Sequence, residues 1–131
     1  MDERQQEVIM RLGIFEQQFK QLQQQLEAVE KNILELEELN YGMDEIKGSA
    51  GKEIMAPIGK GIFIKAKILS EELLVDVGNK ALVKKSISET KKIISEQISK
   101  MKAMRIELNS SMKELEEELE KEMSSINASS S

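Results

Sequence analysis

Apolar residues in the first third of the chain recur at alternating steps of four and three: Val8, Leu12, Phe15, Phe19, Leu22, Leu26, Val29, Ile33 and Leu36. An unbroken 4-3 spacing keeps one stripe of a helix apolar, as in a coiled-coil seam. The same register continues through Asn40 to Met43. A polar Asn at a seam position fixes alignment at some cost in stability. The pattern predicts a helix over 3–47, stopped by the "GSAG" of 48–51. At 1.5 Å per residue such a helix is roughly 60 Å long. It cannot bury its stripe on itself, so it needs a partner helix.

The partner lies downstream. "SISE" at 86–89 has the form of a capping box, Ser86 accepting from backbone donors and Glu89 reaching back. A second seam follows through Ile87, Ile94, Ile98, Met101, Leu108, Met112, Leu115 and Leu119, with Lys91, Arg105 and Glu122 also on heptad positions. Those three must lift their charge to solvent or pair across to the first helix. The second helix is predicted over 86–126, with 127–131 expected to be disordered. Two segments of similar length joined by a short insert suggest an antiparallel helical hairpin with both chain ends at one tip. Parallel coiled coils between separate chains remain the alternative.

Between the helices the apolar period changes to two. Strands are predicted over 53–58, 62–68, 73–77 and 80–84. "GKG" at 59–61 joins the first pair, and Gly78-Asn79 joins the second, with Gly in the first central position of a type II′ turn. Two-stranded ribbons bury too little to stand alone, and their edges carry backbone groups that another chain can complete. The strands are therefore expected to join copies of this chain, or relatives of it, into an oligomer.

Composition narrows the chemistry. The 131 residues are 33% charged and 3% aromatic, which suits long exposed helices better than a thick core. There is no Cys and no His, which removes thiol chemistry, the commonest general base and the commonest transition-metal ligand. No apolar run is long enough for a membrane span, and "MDERQQEV" is not a secretory signal, so a cytoplasmic protein is expected. The net charge of −5 is unevenly spread: residues 47–102 hold 12 Lys against 6 Asp and Glu, a balance of +6, leaving −11 elsewhere. A basic middle can bind nucleic acid, but acidic residues interrupt it and Phe63 alone is available for stacking, so solvated faces and Lys-protected sheet edges account for it better. The run "ELEEELEKE" at 114–122 spreads its carboxylates around a helix, a solvated face rather than a metal site, and "GKG" is too short for a phosphate loop. No catalytic group, metal site or cofactor site is expected.

"EIMAPIGKGIFIKAKI" at 53–68 and "LLVDVGNKALVKK" at 73–85, between two heptad helices, resemble the α-type subunits of prefoldin, with wording closer to archaeal than to eukaryotic members. The resemblance covers almost the whole chain. It implies an α+β, mainly α fold: a single domain over 1–131, a long antiparallel coiled-coil hairpin whose two central β-hairpins build an oligomeric β-barrel platform. It further implies an ATP-independent co-chaperone, a holdase of two α-type and four β-type subunits. Such a complex holds unfolded clients at its coiled-coil tips and passes them to a group II chaperonin. The platform residues would be Ile54, Ile58, Ile62, Ile64, Ile68, Leu73, Val75, Val77, Leu82 and Val83. At the tips, Ile9, Met10 and Ile14 lie off the seam beside Leu12 and Phe15 on it, with Leu119, Met123 and Ile126 from the second helix. Together they would offer clients a semi-open apolar groove, with the acidic run nearby keeping it soluble. The competing expectations are a filament-forming or scaffold variant of the same type and a nucleic-acid-associated coiled-coil factor.

Overall fold

The computed structural model describes residues 2–130, with side chains described through Ser125. Six elements follow in order: α1 (Glu3–Ile46), β1 (Glu53–Gly59), β2 (Ile62–Lys67), β3 (Leu73–Asp76), β4 (Leu82–Lys85) and α2 (Ile87–Ser130). The chain divides into two compact units, Met1–Ile33 with Lys100–Ser131, and Leu34–Ser99.

In the first unit, Asp2 caps α1 by accepting the Gln5 amide at 2.8 Å on Oδ1. Every seam position from Val8 to Ile33 is wholly or partly buried, while the neighbouring faces of α1 are exposed apart from Asn32. On α2, Met101, Arg105, Leu108, Met112, Leu115, Leu119 and Glu122 form the matching stripe. The segments run antiparallel, since Asn32 donates to the Met101 sulfur at 3.6 Å and Arg11 donates to the Glu122 carboxylate at 3.1 Å. Burial is deepest at Val29 and Ile33. A pair of helices has no enclosed interior, so most seam residues keep one flank in water.

The second unit holds the other three well-buried apolar residues. Met43, Ile87 and Ile94 pack together, joined by the half-buried Leu36, Ile46, Leu73 and Ile98. Lys91, on the seam, donates to Asp44, which lets a cation sit beside the core with its charge matched. Asn40 also lies on this seam, and its Oδ1 is buried with no hydrogen-bond partner. The end of α1 is closed by Gly48 in the left-handed region, whose amide donates to the Glu71 carboxylate.

The strands form two separate antiparallel ribbons, β1–β2 and β3–β4. In the first, Ile54 faces Ala66 and Ala56 faces Ile64, while Met55 faces Lys65 and Pro57 faces Phe63. Ile58 is a bulge before the tight turn at Lys60-Gly61, both with positive φ as a type I′ turn requires. In the second, Leu73 faces Lys85 and Val75 faces Val83.

Local chemistry departs from the sequence expectation in four places. The second turn is not a type II′ turn on Gly78-Asn79. The Ala81 amide closes onto the Gly78 carbonyl at 2.9 Å, with Asn79 and Lys80 both at positive φ, the signs of a type I′ turn one residue later. Asn tolerates that region, and the Gly78 amide bonding to Asp76 Oδ1 at 2.9 Å sets the chain up for it. The shift shortens β3 to Asp76 and starts β4 at Leu82. The capping box is half made: the Glu89 amide donates to Ser86 Oγ at 3.1 Å, but no bond returns from Glu89 to the Ser86 amide among the described residues. Finally, α2 extends to Ser130 rather than ending at 126, because no Gly or Pro follows to stop it. The side chains of the tail expected to be disordered over 127–131 lie outside the described residues, as does that of Ile126.

The packing makes two predictions for urea unfolding. Ile94, 5% exposed, should cost about 2–4 kcal/mol as Ile94→Ala, whereas Ile106→Ala, at a position 69% exposed, should cost less than about 0.5 kcal/mol. Gly13 lies inside α1 with open space where a Cβ would stand, so Gly13→Ala should raise stability by about 0.5–1 kcal/mol.

Candidate functional site

The free ends of α1 and α2 lie in the first unit. Between them, Leu12, Phe15 and Phe19 of α1 and Leu115 and Leu119 of α2 line an apolar groove of about 330 Å³, with Glu16 and Glu116 on its rim. Phe15 and Phe19, one helical turn apart on α1, form its aromatic wall. A second, more polar hollow of about 350 Å³ opens on another side of Phe15, lined by Arg11, Glu118, Lys121, Glu122 and Ser125.

The off-seam residues stand clear of the seam. Ile9 is 54% exposed and Met10 67%, and Ile14 and Met123 are about half exposed. Leu12, Phe15 and Leu119 are half-buried in the groove itself. The structure therefore brings Leu12, Phe15 and Leu119 together, and adds Phe19 and Leu115, which the sequence reading assigned only to the seam. Met104 and Ile106 of α2 are further exposed apolar residues of this unit that the reading did not select.

Charge frames the tip. Arg11 donates to both carboxylate oxygens of Glu122, at 3.1 and 3.2 Å, and to Glu7 at 3.0 Å. The hydrogen bond to Glu122, followed by its charge and that of Glu7, raises the Arg11 guanidinium above its ordinary pKa. This explains how an acidic residue occupies the seam at position 122. Arg105, also on the seam, is half-buried and has no hydrogen bond or ion pair among the described residues.

The ribbons present the second candidate surface. Ile54, Ile58, Ile62, Ile64, Val77, Leu82 and Val83 are exposed, Ile68 and Val75 are half-buried, and Leu73 is engaged by the chain's own core. They do not form one face. Ile54 and Ile64 share a face of the first ribbon, whereas in the second Leu82 pairs with Asp76 on the side away from Val75 and Val83. Met55 and Phe63 on the other face of the first ribbon, Leu74 on the second, and Leu69 in the connecting loop are equally open. Among the described residues no cluster of acidic groups could hold a metal ion, and no helix is long and apolar enough to cross a membrane.

Comparison with known proteins gives the arrangement a family. The prefoldin subunit model matches residues 15–129. The prefoldin subunit alpha of Methanosphaera stadtmanae is 30% identical over 70% of this chain and 68% of its own length. Those of Methanobrevibacter smithii and Methanococcus vannielii are 29% and 34% identical over 66% and 68% of this chain, and the matches span only 60% of either relative. Among solved structures, the filamentous prefoldin of Methanocaldococcus jannaschii overlays with a TM-score of 0.76 at 20% identity, covering 87% of this chain and 96% of the other. Two heptad helices enclosing two β-hairpins are thus shared with that fold, and the chain belongs to the prefoldin family, a family of chaperone subunits.

Proposed function

We propose that this chain is the α-type subunit of an ATP-independent holdase of the cytoplasm. Its ribbons join those of a second copy and of four β-type subunits in a β-barrel platform. The ends of its helices hold unfolded polypeptides and release them to a group II chaperonin. The observation that carries this reading is the apolar tip. Ile9, Met10 and Ile14 cover no seam, yet they stand exposed beside a groove that the seam leaves open. Met10 is unbranched and polarizable, so it can repack against many partners, which a holdase requires. An acidic run beside the groove keeps such a surface from self-association.

The open ribbon edges support assembly in either of two forms. Each strand pairs on one side only, so another chain's strand can be added. Closure into a small oligomer gives the holdase platform. Continued addition gives a filament, the form named for the Methanocaldococcus structure, and is the second reading. Native mass spectrometry of the chain with a β-type subunit from the same source separates them. A complex of two of these chains with four partners supports the first, and unlimited self-assembly without uptake of the partner supports the second.

Substituting Ile64→Asp together with Val75→Asp should dissociate the assembly, seen by sedimentation, while far-UV circular dichroism keeps its helical signal. An oligomer of unchanged size would remove the ribbons from the interface. The triple variant Ile9→Ser, Met10→Ser, Ile14→Ser should assemble normally. It should need about tenfold more protein to suppress aggregation of a chemically unfolded client, the effect of losing about 1.4 kcal/mol of apolar contact. Undiminished protection would assign those residues to the helix ends alone.

A further inference from the structure

We propose that the tip groove selects unfolded segments in which a large apolar side chain is flanked by lysine or arginine. This deepens the holdase reading and rests on it. The groove between Phe15, Phe19 and Leu115 has a volume of about 330 Å³, near the lower end of ligand-sized pockets. It accommodates one large side chain and the backbone beside it, so the residues flanking that side chain must lie along the rim.

The rim carries Glu16 on α1 and Glu116 on α2, one on each helix. Both side chains are exposed, and neither has a cation partner among the described residues. Lys20 and Lys113 stand one turn along from Glu16 and Glu116 without an ion pair to them among the described residues, and Arg11 is engaged by Glu7 and Glu122. Over residues 2–20 and 113–125, 10 acidic side chains stand against 5 basic ones, a balance of −5. A segment that seats an apolar side chain between two carboxylates in this field gains if its neighbours are cationic and loses if they are anionic. Hydrophobic contact supplies affinity, and the rim supplies choice. The clients favoured on this basis are nascent or unfolded chains rich in mixed basic and apolar sequence, as in proteins built to bind polyanions.

The test uses the full chain in the oligomer it forms. Short fluorescent peptides share a central Leu-Phe-Leu and differ only in flanking Lys, Gln or Glu residues, and binding is read by anisotropy. At about 50 mM salt the Lys-flanked peptide should bind about fivefold tighter than the Gln-flanked one, with the gap closing near 0.5 M as the charges are screened. In the E16Q/E116Q double variant the ratio of the two affinities should fall to about one. Equal binding of the Lys and Gln peptides by the unaltered chain would overturn charge selection while leaving the tip as a client site. A preference that survives in E16Q/E116Q would place its source away from the groove and overturn the assignment. If none of the peptides binds, the holdase tip itself fails and the inference with it.

Discussion

A single stripe of apolar side chains has to hold together two helices of 44 residues each. Every other feature of the chain follows from how little that stripe can bury. Among the described residues, Val29, Ile33, Met43, Ile87 and Ile94 are the buried apolar ones, and no large side chain is fully enclosed. Stability must then accumulate along the length of the seam from many half-burials rather than from a central core. A protein organised this way cannot hide its seam completely. Where Phe15 and Phe19 of α1 meet Leu115 and Leu119 of α2, the incomplete burial becomes a groove. The surface available for binding is thus a by-product of the same geometry that limits stability.

The ribbons face the opposite difficulty. They have more apolar surface than they can use: Ile54, Ile64 and Phe63 are all open on strands with one unpaired edge. Among the described residues, Leu73 is the one ribbon residue that packs against the Met43, Ile87 and Ile94 cluster. An assembly is the ordinary solution for a sheet that small. The distribution of charge matches the division of labour, with lysines set among the strands and carboxylates concentrated toward the helix ends. Lysines at the ribbon edges discourage indiscriminate pairing of strands.

The seam was legible in the sequence residue by residue. Each apolar position read from the 4-3 spacing of α1 is buried or half-buried, and the intruders Lys91 and Glu122 pair with the other helix as their chemistry required. Strand identity was legible from the period of two, but exact boundaries were not. Those depended on whether Gly78-Asn79 or Asn79-Lys80 would hold the turn, a choice decided by the Asp76 side chain bonding to the Gly78 amide. The capping box was a correct signal for where α2 begins, although Glu89 supplies only its backbone half. Groove width lay beyond periodicity altogether. Spacing tells which residues face each other, whereas the room between them depends on ring size and on how close the two backbones come.

Two of the three charged intruders in the second seam, Lys91 and Glu122, have one more effect. A purely apolar heptad stripe would be almost as content if α2 slid along α1 by seven residues, since Leu and Ile recur at each repeat. A slide one way would set Arg11 beside Leu115 instead of Glu122, and a slide the other way would set Asp44 beside Ile98 instead of Lys91. Each ion pair is exposed and weak in itself, yet together they mark one alignment among several that hydrophobicity alone would accept. Such marks favour the observed alignment of α1 and α2 over those displaced by a heptad.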